Sequence, residues 1–214
     1  MPSFRFFKPL VRNLNDYGFA ATAAKICGYL VKPFYENRTY RIYCIDLGHF
    51  QAPAEMDHTL YQYHLVNPDE VNLIRQIEIM AEWFNGMIRA KLLSDHLCLV
   101  ALDGDKVAAF NLVALTKADI PLLQWERPLD KEEAWSEQIT VDRQYRRKGL
   151  GRAVRHRMFR ELQKRGIKRF CGGALISNTA SLKLAQRSGF KEKEDIQFIK
   201  ILWRKYWRHH EVKL

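Results

Sequence analysis

The stretch that decides the fold of this chain is Val141-Asp-Arg-Gln-Tyr-Arg-Arg-Lys-Gly-Leu-Gly-Arg152. It follows a strand-like run that ends at Val141, and it opens a helix-like run that reaches Leu162. Gly149 and Gly151 allow the backbone to approach a ligand closely, and a helix N-terminus presents unpaired N–H groups to an anion. Four cations surround the two glycines: Arg146, Arg147, Lys148 and Arg152. The loop is therefore predicted to bind a pyrophosphate group.

The spacing of the glycines separates three kinds of nucleotide-binding loop. A Walker loop needs Gly-x-x-x-x-Gly-Lys-Ser/Thr, but Gly151 is followed by Arg152-Ala153. A dinucleotide-binding Gly-x-Gly-x-x-Gly loop needs a third glycine where Val154 stands, and an acidic residue about 20 positions on, where the chain is basic and apolar. The third pattern is Arg/Gln-x-x-Gly-x-Gly/Ala, shortly after a strand that ends in Val. Residues 146–151 match it at every position.

A second segment, Asn178-Thr-Ala-Ser-Leu-Lys-Leu-Ala-Gln-Arg-Ser-Gly-Phe190, lies one predicted strand later. It is similar to the pattern Asn-x-x-Ala/Ser-x-x-Leu-Tyr-x-x-x-Gly-Phe. With these two motifs in this order, the chain resembles the GNAT superfamily, the N-acyltransferases that use acyl-coenzyme A. The resemblance is specific over residues 134–206, looser over residues 57–133 and absent before them.

The resemblance implies an α/β (α+β) fold, with a mixed, mostly antiparallel central sheet and helices on both faces. Residues 56–214 are predicted to form the acyltransferase domain, and residues 1–55 an N-terminal extension with a helix over 10–34 and a strand over 40–46. The domain's predicted strands are 60–66, 96–102, 106–115, 135–141, 169–176 and 197–207. Its predicted helices are 68–93, which Asn85-Gly86 can interrupt, 149–165 and a short one from 179. Because every motif lies beyond residue 134, a chain that begins near Gln51 is expected to keep its coenzyme site.

The resemblance also implies which residues hold acetyl-coenzyme A. The pyrophosphate would lie on the glycine loop, formed by Arg146, Arg147, Lys148, Gly149, Leu150, Gly151 and Arg152. The end of the preceding strand would separate from its neighbour, so that backbone groups of Ile139, Thr140 and Val141 bind the pantetheine arm and the thioester oxygen. Asn178 and Ser181 would add polar contacts. The chain has no His-Glu-x-x-His or Cys-x-x-Cys spacing, so no metal is expected.

Glu137 is the candidate general base, because family members often place a carboxylate four residues before the position of Val141. Alternation along a strand puts residues 135, 137, 139 and 141 on one face. Partial burial is expected to raise the pKa of Glu137 towards neutrality, so that it takes a proton through a water molecule. The alternative is that Glu137 orients the acceptor or pairs with an arginine. The tyrosine that protonates the leaving thiolate in many members is Ala185 here, so the general acid is unassigned, with Ser181 and Ser188 nearby in sequence.

Three functions follow from these motifs and stay open. The first is an N-acetyltransferase that uses acetyl-coenzyme A and a small-molecule or peptide amine. The second is an acyltransferase with longer acyl-coenzyme A or acyl-carrier-protein donors, for which Ala185 makes room. The third is a non-catalytic module that senses acyl-coenzyme A. Residues 116–133 form a long connection that is either a lid over the acceptor or a packed flap.

Composition limits the partners and the location. The formal net charge is +11, which favours anionic partners, but no helix-turn-helix or RNP signature occurs, so nucleic acid is not expected. The basic, aromatic N-terminus is expected to pack on the domain or on a second copy in a homodimer, or to lie on a membrane surface. No apolar stretch approaches the roughly 20 residues of a membrane-spanning helix, and no cleaved signal peptide is expected. The four cysteines, Cys27, Cys44, Cys98 and Cys171, are predicted to be reduced in a cytoplasmic protein.

Overall fold

Segments with alternating or continuous apolar residues form the strands of the protein. The computed structural model describes residues 34–50 and 60–212. Its strands are β1 (Tyr35–Asp46), β2 (Gln62–Leu65), β3 (His96–Asp103), β4 (Lys106–Ala114), β5 (Lys117–Ile120), β6 (Trp125–Pro128), β7 (Glu133–Val141), β8 (Arg169–Leu175), β9 (Lys191–Ile201) and β10 (Arg204–Glu211). Its α-helices are α1 (Val71–Met80), α2 (Ile88–Leu93), α3 (Leu150–Lys164) and α4 (Thr179–Arg187).

These elements belong to two compact units. Of the described residues, the larger unit contains 40–50, 60–196 and 210–212, and the smaller unit contains 34–39 and 197–209. In the larger unit the order of strands in the sheet is β9-β1-β8-β7-β4-β3-β2. The pairs β1–β8, β2–β3, β3–β4 and β4–β7 are antiparallel, whereas β7 and β8 are parallel. The sheet is therefore mixed and mostly antiparallel, which confirms the predicted fold class.

Helices of the larger unit cover both faces of this sheet. The apolar residues of α3 recur every four positions, which places them on one side of the helix. They are buried together with Phe170 of β8, and they are Leu150, Val154, Met158 and Leu162. On the opposite face, Ile77 of α1 and Ile88 of α2 pack with Phe110 and Leu112 of β4. Each of these fully buried side chains stabilises the fold by about 1.5–3 kcal/mol.

The prediction of one final strand over residues 197–207 is wrong. A turn separates β9 from β10, and Leu202 in that turn has a positive φ of 57°. Apolar and aromatic residues continue through the turn, so the composition of the sequence gives no sign of it. The connection over residues 116–133 contains a small hairpin of β5 and β6, and it buries Ile120 and Leu123.

The prediction that the cysteines are reduced is wrong for two of them. Cys44 of β1 and Cys171 of β8 lie directly opposite each other in the antiparallel register, with their Cα atoms 4.1 Å apart, and form a disulfide. Cys98 is free, and its burial raises the pKa of the thiol well above the usual range. Cys27 lies outside the described residues. The two bonded cysteines are 127 residues apart in sequence, so only the strand register brings them together.

Replacing both Cys44 and Cys171 by alanine should lower the stability of the fold. The bond closes a loop of 127 residues, and in the chain-entropy model such a loop is worth about 4–5 kcal/mol. Urea unfolding of the wild type with and without dithiothreitol should show a clear downward shift of the midpoint on reduction. The double variant should show no such shift. Equal effects of dithiothreitol on both proteins would mean that the bond does not contribute.

The N-terminal predictions fall largely outside the described residues. The helix predicted over residues 10–34 precedes them, and the boundary between residues 55 and 56 lies in the gap between Phe50 and Leu60. That boundary stays a prediction. The strand predicted over residues 40–46 is present as β1, and it pairs with β8. Within the described part of the chain, no helix combines the length and apolar character needed to cross a membrane.

Candidate active site

β7 and β8 lie side by side over only part of their length. Their pairing runs from Glu133 opposite Arg169 to Ser136 opposite Gly172. β7 continues to Val141 and β8 to Leu175, and beyond Ser136 no pairing between the two strands is found in the described residues. Unpaired backbone N–H and C=O groups need partners. The diverging end of β7 can therefore hold an extended ligand, as the resemblance implied for Ile139, Thr140 and Val141.

A β-bulge at Glu137 changes which side chains share a face of β7. In the pairing with β4, Ser136 lies opposite Val113 and Gln138 lies opposite Leu112, so Glu137 is an extra residue. The alternation of side chains therefore shifts by one at this point. The prediction that residues 135, 137, 139 and 141 share one face is wrong for this reason.

The bulge is supported by a buried polar side chain. Asn111 of β4 is fully buried, and its Nδ2 donates to the carbonyl oxygen of Gln138 at 2.9 Å and to Oγ of Ser136 at 3.3 Å. A buried amide at a bulge satisfies backbone groups that regular pairing leaves open. Asn111 was not among the predicted site residues, although a lone asparagine within the apolar run of β4 was the available signal.

After the bulge, β7 presents Val141 to the face covered by α3. Val141 lies opposite Ala109, which belongs to the same core as α3. Glu137 instead contacts Lys91 of α2 and His96 of β3, and α2 packs on the other face of the sheet. The candidate base and the strand end that would hold the thioester are therefore on opposite faces of β7. Both belong to the part of β7 that lies beyond its pairing with β8.

The carboxylate of Glu137 lies between two cationic or hydrogen-bonding side chains. Lys91 of α2 places its Nζ 3.0 Å from Oε1 and 2.8 Å from Oε2, and Nε2 of His96 lies 3.2 Å from Oε1. Only 5% of the Glu137 side chain is exposed. Burial alone raises the pKa of Glu137, but hydrogen bonds from His96 and Lys91 outweigh it and hold the pKa below its usual value. The prediction that the pKa of Glu137 is raised is therefore wrong. The partners of its carboxylate are Lys91 and His96, and not the arginine of the alternative prediction.

Both ring nitrogens of His96 face acceptors. Nδ1 lies 2.9 Å from the carbonyl oxygen of Ser94, and Nε2 faces the Glu137 carboxylate. Lys91 and His96 together satisfy the carboxylate of Glu137 with hydrogen bonds, which explains why this glutamate is held ionised.

Further carboxylates lie close to this cluster. Burial, followed by the neighbouring charge of Glu126, raises the pKa of Asp119 in β5, and the charge of Glu137 adds to this rise. Glu126 of β6 itself pairs with Lys117 at 2.8 Å. Asp119 therefore adds negative charge beside Glu137, whereas the charge of Glu126 is offset by its lysine partner. Such an arrangement attracts an ammonium group.

The glycine loop has the backbone geometry that an anion site needs. Asp142 accepts a hydrogen bond from the N–H of Gln144 at 3.1 Å and starts a short 3₁₀ turn after β7. Gly149 then precedes α3 with a positive φ of 78°, a conformation that favours glycine. Among the described residues, the N–H groups of Leu150 and Gly151 in the first turn of α3 have no protein acceptor. These groups fit a pyrophosphate.

Gly151 also has a packing role. A Cβ at this position would lie 3.2 Å from Cγ2 of Val141 and 3.5 Å from Cδ2 of Leu184. The absence of a side chain therefore lets α3 approach the end of β7. Glycine at position 151 is therefore favoured for two reasons, which are the predicted close approach to a ligand and this packing.

The cations of the loop differ in their surroundings. Nε of Arg146 donates to the carbonyl oxygen of Val141 at 3.0 Å, which ties the loop to the strand end. Lys148 lies over the ring of Tyr145, with its Nζ 5.8 Å from the ring centre. Arg147 is exposed and has a positive φ of 64°. The loop therefore surrounds the first turn of α3 with positive charge.

The second motif forms the start of α4. Oδ1 of Asn178 accepts from the N–H of Ser181 at 3.2 Å and caps the helix. Ala185 is buried in the core on the α3 side, and Oγ of Ser188 donates to the carbonyl oxygen of Leu184 at 2.7 Å. Ser188 is therefore used within the protein, and the general acid stays unassigned. Over the described part of the chain, no group of His, Cys, Asp and Glu is arranged to hold a metal ion.

The chain is similar to known acetyltransferases in sequence. A family model described as the acetyltransferase (GNAT) family matches residues 58–190, more than half of the chain. Over 61 residues, 28% of this chain, it is 39% identical to the ribosomal protein bS18-alanine N-acetyltransferase of Escherichia coli (strain K12). The same match is found with the enzyme of that name from Shigella flexneri. The chain spans 41% of the length of these relatives.

Two solved structures share its fold. A GCN5-related N-acetyltransferase from Sphaerobacter thermophilus has a TM-score of 0.56 and 16% identity, over 91% of this chain and 58% of that one. The glucosamine N-acetyltransferase region of a fungal multi-domain GH3 beta-N-acetylglucosaminidase has a TM-score of 0.58 and 15% identity, over 90% of this chain and 23% of that one. At such low sequence identities, the similarity to these structures supports the fold alone. With the family model matched over most of the sheet, the chain belongs to the GNAT acetyltransferase family.

Proposed function

We propose that this protein is an N-acetyltransferase, which moves an acetyl group from acetyl-coenzyme A to an amine by direct attack. The observation that carries the proposal is the separation of β7 from β8 beyond Ser136, directly before the glycine loop. The edge of β7 beyond Ser136 has no strand partner on the β8 side in the described residues. It leads through the glycine loop to the N-terminus of α3, where the N–H groups of Leu150 and Gly151 have no protein acceptor. Such a path suits a ligand with an amide-containing arm and a pyrophosphate.

The residues of the chain divide the work as follows. The N–H groups of Leu150 and Gly151 and the cations around them bind the pyrophosphate, and the edge of β7 from Ile139 to Val141 binds the arm. The bound coenzyme supplies the thioester carbonyl as the electrophile. A backbone N–H that is aimed at the developing oxyanion contributes about 3 kcal/mol to the rate. The amine nitrogen forms the new bond to the carbonyl carbon, the C–S bond breaks, and the thiolate takes its proton from solvent.

Glu137 is proposed to receive the proton of the attacking amine through a water molecule. Its carboxylate stays ionised because Lys91 and His96 lower its pKa, so it is always ready to accept. The same low pKa makes it a weak base. Asp119 would attract the ammonium form of the acceptor beside it. The acceptor is therefore proposed to be a primary amine, on a small molecule or a peptide.

Glu137→Gln should lower kcat by about 10²-fold or more, while the affinity for coenzyme A stays unchanged. The substitution keeps the shape of the side chain and removes its basicity. Steady-state release of the coenzyme thiol, with acetyl-coenzyme A and a panel of amines, measures the effect. Glu132→Gln, at an exposed carboxylate, is the matched control. A rise in the acceptor KM without a fall in kcat would instead assign Glu137 to acceptor orientation.

The pH dependence of kcat gives an independent check of the same residue. Because its pKa is lowered, the wild-type acidic limb that Glu137 causes should lie below the usual range of a glutamate. Lys91→Met removes one hydrogen bond that holds this pKa down, so the limb should move to higher pH. An acidic limb that is identical in the wild type and in Lys91→Met would end the assignment of that limb to Glu137.

The donor decides between acetyl transfer and the two other functions. Thermal shift and donor turnover are measured with acetyl-coenzyme A, longer acyl-coenzyme A and acyl-carrier protein. Acetyl-coenzyme A should both stabilise the protein and be turned over. Turnover only with longer or carrier-bound donors would favour the second function. Binding without turnover of any donor would favour a sensing module.

We also propose the cytoplasm as the compartment of the reaction. Disulfides are rare there, so the Cys44–Cys171 bond makes the proposal testable. Fractionation of cells, with thiols alkylated at lysis, should find the protein in the cytosolic fraction. Recovery only from an oxidising compartment would overturn this location.

A further inference from the structure

The turn between β9 and β10 exposes a cluster of large apolar side chains. We call residues 200–205, together with Phe34, the hairpin tip. The exposed fractions are 49% for Ile201, 45% for Leu202, 78% for Trp203 and 58% for Phe34. The N–H of Leu202 donates to the carbonyl oxygen of Phe34, which holds these residues together. All of them belong to the smaller unit. A contiguous apolar patch on a protein surface marks an interaction site more often than scattered single residues do.

Positive charge surrounds this apolar cluster. Residues 200–210 are Lys-Ile-Leu-Trp-Arg-Lys-Tyr-Trp-Arg-His-His. This segment contains two lysines, two arginines and no acidic residue. Lys200 precedes the turn, and Arg204 and Lys205 follow it directly. Every residue of β10 is exposed. The hairpin tip therefore combines apolar side chains at the turn with cations on both sides of it.

We propose that the hairpin tip docks on an anionic lipid surface. Tryptophan favours the boundary between headgroups and acyl chains, because its ring is apolar and its N–H is polar. Ile201 and Leu202 would enter the apolar layer beside Trp203. The flanking lysine and arginine side chains would then meet the negatively charged headgroups.

Two other occupants fit the same surface less well. A single-stranded nucleic acid binds by stacking its bases on aromatic rings. Trp203 and Phe34 offer such rings, but stacking on them would leave Ile201 and Leu202 exposed to water. A second copy could add a strand along β10. Strand addition, however, pairs backbone groups along β10 and would leave the apolar side chains of the hairpin tip, Ile201, Leu202 and Trp203, exposed to water. An anionic membrane is complementary to both the apolar and the charged parts of the tip.

Vesicle sedimentation with the full chain tests the proposal. The probes are vesicles of phosphatidylcholine alone and vesicles that also contain phosphatidylserine. The protein should partition onto the anionic vesicles, and binding should weaken when the salt is raised from about 0.1 M to about 0.5 M. Trp203→Ala, and separately Arg204→Glu with Lys205→Glu, should each lower the partition coefficient by about tenfold.

Matched substitutions elsewhere on the protein distinguish a specific binding site from non-specific adsorption to vesicles. Trp83→Ala removes a tryptophan that is 68% exposed outside the tip, and Lys131→Glu reverses an exposed cation. Both should bind anionic vesicles like the wild type. Circular dichroism confirms that each variant is folded, and the tip variants should keep the wild-type thiol-release rate.

Four results would overturn the proposal. The first is equal binding to neutral and anionic vesicles, and the second is equal loss of binding in the control variants. The third is a single-stranded RNA that binds the wild type and is lost in Trp203→Ala while vesicle binding is unchanged. The fourth is a dimer mass in light scattering that becomes monomeric in the tip variants without any change in vesicle binding. None of these outcomes depends on whether the acetyltransferase activity is present.

Discussion

A chain that begins at Gln51 should fail to fold, contrary to the expectation drawn from the positions of the motifs alone, whereas one that begins at Phe34 should keep a cooperative unfolding transition. The shorter chain lacks β1, which lies between β9 and β8 in the sheet of the larger unit. Seven residues of β1, from Tyr40 to Asp46, pair with β8. The shorter chain would therefore expose the edge of β8, including Gly172, where the separation from β7 begins.

The loss of buried surface sets the size of this effect. The truncation removes five buried apolar side chains, which are Tyr40, Ile42, Tyr43, Ile45 and Leu47. At about 1.5–3 kcal/mol for each, their loss is on the order of 10 kcal/mol, which is comparable with the whole stability of about 5–15 kcal/mol of a typical domain. Circular dichroism and urea unfolding of the two truncated chains measure the difference. The disulfide to Cys171 is lost in the same step.

A point substitution tests the same contact in the full chain. A Cβ at Gly173 would overlap the ring of Tyr40 and lie 2.7 Å from the carbonyl oxygen of Arg41. Gly173→Val should therefore destabilise the protein strongly. At Gly172 the nearest atom would be 3.1 Å away, so Gly172→Ala should be milder. A Gln51 chain that unfolds cooperatively and binds acetyl-coenzyme A would show that β1 is dispensable.

Gly151→Glu should abolish measurable binding of coenzyme A, with a Kd raised by about a hundredfold or more, equivalent to about 2.8 kcal/mol. The new carboxylate would stand in the first turn of α3, beside the N–H groups that are proposed to meet the pyrophosphate. It would repel the phosphates and neutralise the cations around them. Isothermal titration calorimetry with coenzyme A measures the change.

Gly151→Ala separates the packing part of this effect from the electrostatic part. Its Cβ would approach Val141 to 3.2 Å, so the neighbour must yield by a few tenths of an ångström. Because alanine brings no charge, this variant should lose less affinity than Gly151→Glu. Both variants should keep the far-ultraviolet spectrum of the wild type. Unchanged coenzyme binding in folded Gly151→Glu would refute the assignment of the loop.

The sequence predicts well those features that depend on neighbours along the chain. The spacing of Leu150, Val154, Met158 and Leu162 predicts α3 to within a residue at each end. The turn residues Asp103-Gly-Asp105 predict the β3–β4 hairpin, which is present. In each case the period of apolar residues or the chemistry of a turn acts locally.

Features that depend on strand register are not visible in the sequence. The bulge at Glu137 exists because β4 and β7 pair with one residue in excess. The Cys44–Cys171 bond exists because β1 and β8 align in one register. The place of β1 in the sheet likewise follows from a partner more than a hundred residues away in sequence. The low pKa of Glu137 has the same origin, since Lys91 and His96 come from other elements.

The bulge at Glu137 acts on β7 as an inserted letter acts on a reading frame. Residues before it and after it face the two sides of the sheet by opposite parity, so that even positions upstream correspond to odd positions downstream. Deleting Glu137 would remove the bulge, so that side chains alternate regularly along the whole of β7. The side chains on one side of the deletion would then point to the opposite face of the sheet. A comparison that locates a base by counting back from Val141 must therefore change the expected face of each side chain at Glu137.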